Sequence, residues 1–156
     1  MRGRLSRACA GGLVVLALSA CASIPRDPDG TLDRVREQGV LRVGASPSGE
    51  LVAYAGDDVI GREVELVEGF AAELGARVDW TLAGETALVA MMERGELDVI
   101  IGGLHTDSPW ADTVSITRAY AESTEAGETV KHALAVPLGE NAMLVRLERY
   151  LDEATP

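Results

Sequence analysis

The run Leu97-Asp98-Val99-Ile100-Ile101-Gly102-Gly103-Leu104 constrains the fold of this chain more than any other segment. It is apolar almost throughout, rich in β-branched residues, and closes on glycines. A strand with one wet face alternates apolar and polar residues; a strand without alternation is covered on both faces, as in the centre of a parallel sheet. The flanking sequence supplies the cover. Asp29 or Thr31 is placed to cap a short helix through Leu32 and Val35, closed by Gly39. Val40 to Ala45 reads as a strand that runs into the loop Ser46-Pro47-Ser48-Gly49. Over residues 62–74, Val64, Val67, Ala71 and Leu74 form one helical stripe, Glu63, Glu65, Glu68 and Glu73 mostly fall elsewhere, and Gly75 ends the helix. Val78 to Leu82 alternates like a strand, and residues 85–94 make a helix with Leu88, Met91 and Met92 inward, stopped by Gly95. Ala133 to Val136 is a further strand. Glu140-Asn141 reads as a capping pair for a last helix that turns Met143, Leu144, Leu147 and Leu151 inward. The order predicts an α/β fold with a mostly parallel sheet flanked by helices. Such sheets bind ligands at the carboxyl ends of their strands, here the loops Ser46 to Gly49 and Gly102 to Trp110.

Residues 1–20 carry a different signal. Arg2, Arg4 and Arg7 precede an apolar stretch from Ala8 to Ala20, the arrangement of a bacterial export signal. That stretch is shorter than the roughly 20 apolar residues that span a bilayer. Leu18-Ser19-Ala20-Cys21 resembles a lipobox, which implies cleavage before Cys21, diacylation of that cysteine, and anchoring of the domain to the cell membrane or outer membrane, facing the periplasm or cell exterior. Residues 21–30, with Pro25, Pro28 and Gly30, read as a flexible tether.

Cleavage leaves 136 residues, enough for one domain. Removing three arginines leaves 11 basic residues against 25 acidic, a net charge of −14, which argues against a nucleic-acid partner. With only His105 and His132 and no free cysteine, a His/Cys metal site is not expected. No Gly-x-Ser-x-Gly elbow occurs, and Gly102-Gly103 lacks the Gly-Lys-Ser/Thr of a phosphate loop. No cofactor is expected.

Leu41-Arg42-Val43-Gly44, Gly61-Arg62-Glu63-Val64-Glu65-Leu66 with Ala71-Ala72-Glu73-Leu74-Gly75, and Gly95 to Leu104 together resemble the family 3 bacterial extracellular solute-binding proteins, the capture components of ABC importers. Thr117-Arg118-Ala119-Tyr120 looks like that family's crossing into its second lobe, and Lys131 to Asn141 with Leu147-Glu148-Arg149-Tyr150-Leu151 like the returning strand and closing helix. The resemblance implies a periplasmic-binding-protein-like (type II) lobe over 31–152. Its segments 31–120 and 131–152 are joined by a small, polar, acidic loop over 121–130, where the family inserts a whole second lobe.

The resemblance also implies a ligand-gripping arginine a few residues after the glycine-ended strand, at a position that holds Trp110 here. Tryptophan offers a flat face and one donor and cannot clamp a carboxylate. Two roles stay open for it: stacking on a small polar solute, with polar contacts from Thr106, Asp107, Ser46 and Gly103, or packing over its own loop. The expected function is a lipid-anchored, non-enzymatic solute-binding or accessory lobe beside a permease or sensor. The alternatives are a non-binding remnant, a homodimer or partner module in which a second surface completes the cleft, and, least, a dehydratase-like enzyme on the same fold.

Overall fold

The computed structural model describes residues 27–56 and 58–155. The export signal, Cys21 and tether residues 22–26 lie outside the described residues. Four helices, α1 (Thr31–Gln38), α2 (Arg62–Glu73), α3 (Glu85–Glu93) and α4 (Asn141–Ala154), surround a sheet built from β1 (Val40–Ala45), β4 (Arg77–Leu82), β5 (Val99–His105), β6 (Val114–Ile116), β7 (Ala121–Glu125) and β8 (Glu128–Pro137). Two short strands, β2 (Ala53–Ala55) and β3 (Asp58–Ile60), form a separate hairpin between β1 and α2.

The sheet order is β4-β1-β5-β8-β6, with β7 also paired to β8. Its centre is parallel, β1 lying between β4 and β5, and β8 extends it antiparallel to β5. This is the expected α/β lobe. Side chains of successive residues point to opposite faces, and the core divides accordingly. Leu41, Val43, Val99, Ile101, Leu134 and Val136 face α1, α2 and α4. Ile100, Leu104 and Ala135 face α3 through Leu88, Val89 and Met92. Both faces of β5 are therefore dry, and each fully buried Leu or Ile contributes about 1.5–3 kcal/mol. Gly44 belongs to this packing: a Cβ there would lie 2.8 Å from both Leu88 Cδ2 and Leu97 Cδ1, so α3 approaches β1 only because the residue is glycine.

Three expectations are corrected by the structure. Residues 121–130 are not a loop: β7 and β8 pair from Ala121–His132 to Glu125–Glu128 and turn through Ala126 and Gly127, both with positive φ. Alternation is weak in this acidic stretch, and pairing of its ends gives the hairpin. Neither Asp29 nor Thr31 caps α1 with its side chain, and Glu140, which does stand at the N-cap of α4, makes no side-chain cap bond there. Instead the Glu140 carboxylate reaches across to α1, accepting from the Asp29 N–H (2.8 Å) and the Thr31 N–H (2.9 Å). Residues 27–30, read as the end of the tether, are thereby fixed to the lobe.

The amino ends of the strands are tied by Asp98, which is fully buried. It accepts from the Arg42 N–H (2.9 Å), from the Arg42 guanidinium (2.6 Å) and from Arg34 of α1. Asp98→Asn removes the buried charge that forms ion pairs with two partly buried guanidinium groups. We expect urea denaturation to show a loss of about 3–5 kcal/mol with an unchanged m-value; a loss below about 0.5 kcal/mol would reduce the tie to a surface ion pair.

Candidate functional site

The carboxyl ends of β1 and β5 meet as the fold class predicts. The Ser46 N–H donates to the Ile101 carbonyl (3.0 Å), which carries the ladder one residue beyond β1. The loop after Ser46 closes on itself through Ser48 N–H to Val52 O (2.9 Å), and α2 docks on it through Glu63 N–H to Leu51 O (3.1 Å). Tyr54 of β2 donates its hydroxyl to Ala45 O (2.7 Å) at the same rim.

Gly102 and Gly103 explain the glycine-ended strand. The register between β5 and β8 slips between Ile100 and Leu104, a bulge at the twin glycines, whose φ values are +148° and +71°. A Cβ on Gly102 would lie 2.7 Å from Ser46 Cβ and 2.8 Å from Ser46 O; one on Gly103 would lie 3.0 Å from Ser48 Cβ. Ser46, Ser48 and Gly103 are thus held together at the rim. The bulge also turns two amides away from the ladder. Both donate to Glu63 Oε2, from Gly102 at 2.7 Å and Gly103 at 3.1 Å, and the Tyr120 hydroxyl donates to Glu63 Oε1 at 2.6 Å. Glu63 is fully buried in the first turn of α2, where the helix dipole favours a negative group. Burial first, and then the charge and hydrogen bond of Glu63, raise the Tyr120 phenol far above its ordinary pKa, so it acts only as a donor.

The other proposed contact residues diverge from this rim. Trp110 packs against the α3 face of the core, and its indole N–H donates to the Glu85 carboxylate at the start of α3. Its one donor is thereby engaged by α3. Thr106 donates its N–H to Lys131 O (3.0 Å). With His105 and Asp107 it borders a cavity of about 450 Å³ whose other wall is the hairpin, through Glu125, Glu128 and Lys131. His132, opposite His105 in register, is buried, with its ring edge-on to His105 at 5.6 Å and its Nε2 2.7 Å from Ser123 Oγ. A second cavity, of about 510 Å³, opens at the opposite end of the sheet beside Arg34, Arg42 and Arg94.

Glu63 was assigned by its sequence to the polar side of α2. Its signal was available: positions 63, 67, 70 and 74 share a helical face, and Val67, Phe70 and Leu74 are buried on it. Nothing in the sequence marks Glu140 as the cap of a helix that begins 109 residues earlier.

An α/β lobe whose glycine-bulged central strand ends at an open rim is one lobe of a periplasmic-binding-protein-like architecture. Residues 41–155 match the bacterial extracellular solute-binding proteins, family 3, and the chain belongs to that family. Among curated relatives it is 40% identical over 92 residues to the membrane-bound lytic murein transglycosylase F of Vibrio vulnificus, covering 58% of this chain and 17% of the relative. It is 39% identical over 99 residues to membrane-bound lytic murein transglycosylase F 2 of Alkalilimnicola ehrlichii, covering 62% and 22%. The chain therefore spans about a fifth of the length of these relatives. The solved arginine-bound form of domain 1 from TmArgBP superposes with a TM-score of 0.71 at 21% identity, covering 78% of this chain and 98% of that one. An ancestral cationic amino acid solute-binding protein superposes with 0.71 at 12% identity, covering 79% and 93%. These likenesses share the fold, and the match to an isolated domain 1 agrees with a first lobe alone.

Gly102→Ala tests the rim. The added methyl meets Ser46 within 3 Å at a φ that L-residues avoid, and the shift disturbs both Glu63 contacts. Thermal or urea unfolding should show a loss of about 2–4 kcal/mol. An unchanged midpoint would show that the bulge relaxes freely.

Proposed function

We propose that this chain is an exported, membrane-tethered lobe that recognises a small polar solute on its exposed rim, as an accessory to envelope machinery, and catalyses no reaction itself. The observation that carries this reading is the hairpin. Between the segments that resemble the family's crossing (residues 117–120) and returning strand (residues 131–141), the chain folds back on itself, Ala121–Glu125 pairing with residues 128–132, so no second lobe is inserted there to cover the rim at Ser46, Ser48 and Gly103. The Ser48 hydroxyl is buried at this rim without a partner among the described residues.

Three further points support it. The buried carboxylates Glu63, Asp98 and Glu140 are each engaged by structural donors, which leaves none of them poised for acid–base work. The curated relatives are named membrane-bound, in keeping with a Cys21 anchor. The solved domain 1 is described as arginine-bound, which makes solute recognition by one lobe a reasonable expectation. Trp110 in the clamp position argues against a bidentate carboxylate grip on the solute.

A second reading, a docking face for a protein partner or a second copy, is favoured by apolar exposure at the same rim. Tyr54 and Leu82, each 40% exposed, flank Ala45, and Ile60 on the β2–β3 hairpin is 51% exposed.

Thermal unfolding with a panel of free amino acids and soluble murein peptides separates the two. A rim binder at saturating solute raises Tm by about 5–10 °C. No rise with any compound rejects solute recognition, and a concentration-dependent dimer in sedimentation then supports docking. For the anchor, Cys21→Ser should move the protein from the membrane to the soluble exported fraction; unchanged membrane recovery rejects lipidation.

A further inference from the structure

Two carboxyl groups meet where the chain enters α1. Glu140, fully buried just before α4, accepts from the Asp29 N–H through Oε1 and from the Thr31 N–H through Oε2. Asp27 accepts from the Leu32 N–H through Oδ2 (3.2 Å), and its carbonyl accepts from the Gly30 N–H (3.0 Å). These amides belong to the entry and first turn of α1, where the helix itself offers no acceptor. The remaining Asp27 oxygen, Oδ1, is buried with no donor directed at it among the described residues. The Asp27 and Glu140 carboxyl groups nevertheless lie within hydrogen-bonding reach of each other. Two ionised carboxylates cannot bond, because each is only an acceptor; a proton between them supplies the donor.

We propose that Asp27 and Glu140 form a proton-dependent clasp: a proton on the orphan Asp27 oxygen donates to the Glu140 carboxylate and holds Asp27–Gly30 on the corner between α1 and α4. The segment is where any tether from the anchor joins the lobe, so the clasp sets how firmly that junction is held. No redox or covalent step is involved; opening releases one proton to water.

The surrounding charges agree. Burial, then the hydrogen bond and charge of Glu140, push the Asp27 carboxyl up to about 7; the Leu32 N–H pulls the other way and Asp33 of α1 adds to the rise. Among the described residues no cation acts on it, and Arg34 of the same helix is turned to Asp98. For Glu140, burial works against the charged form, but the Asp27 hydrogen bond and the Asp29 and Thr31 amides outweigh it and hold its pKa below the ordinary 4.5. The shared-proton state therefore spans the window between the depressed Glu140 value and about pH 7. Because Asp27 holds its proton more tightly folded than unfolded, its contribution is fully present below the unfolded value of 3.8 and is lost as pH rises through about 7.

The test is an NMR titration of the full chain from about pH 5 to about pH 9, following the Asp27 side-chain carbon and the Asp29, Thr31 and Leu32 amides. The clasp predicts one transition with a midpoint near 7 at all four reporters. Asp27→Asn supplies a permanent donor to Glu140 and should abolish the amide transition while leaving those amides protected from exchange across the range. An Asp27 midpoint below about 5, within the ordinary carboxylate range, overturns the proposal. So does an amide transition that persists in Asp27→Asn. The wild-type carbon titration stands alone should the variant fold poorly.

Discussion

One buried carboxylate organises this lobe. Among the described residues Glu63 forms no salt bridge; its negative group is met by the Gly102 and Gly103 amides, the Tyr120 hydroxyl and the amino end of α2. Leaving such a group unmet inside a protein costs several kcal/mol, and three directed donors are how the cost is offset. Each donor comes from a different constraint. The two amides exist because a glycine bulge frees them from the ladder with β8, and the hydroxyl lies where the chain leaves β6 for the hairpin. Glu63 thus joins α2, the central strand and the crossover at one point, and the loop carrying Ser46 and Ser48 is pinned between them.

That arrangement seals the rim from within. The amides of Gly102 and Gly103 are directed inward to Glu63, and the Ser48 hydroxyl is buried without a partner among the described residues. After the crossover, β7 and β8 pair with each other as a hairpin. A ligand that reaches this lobe meets one wall, and one-sided burial lowers its affinity relative to an enclosed pocket. A tether of the kind proposed would offset weak binding by keeping the lobe at high local concentration near any partner. The fold and the proposed accessory role are consistent on that physical ground.

Most of the fold was legible in the sequence. The unbroken apolar run of β5, the amphipathic stripes of α2 and α4 and the glycines after α1, α2 and α3 are local signals, and each element formed near its expected place. The site was less legible. Its decisive contacts join residues far apart in sequence, 39 positions for Glu63 to Gly102 and 111 for Glu140 to Asp29, and no local pattern encodes a partner at that range. The position of Ser46 and Gly103 at the strand ends is legible because strand ends are local signals. The link from Trp110 to Glu85 of α3 is not, since the two are 25 residues apart. The hairpin at 121–130 was hidden because its charged, small residues lack the alternation of a half-buried strand.

The coupling between Glu63 and Tyr120 tests the central claim most directly. A double-mutant cycle with Glu63→Gln, Tyr120→Phe and the combined variant, followed by urea denaturation, measures it. If the carboxylate is the shared anchor of α2, β5 and the crossover, the two changes couple by about 1–3 kcal/mol. Losses that add within about 0.5 kcal/mol would show that the two residues act independently and would contradict the account.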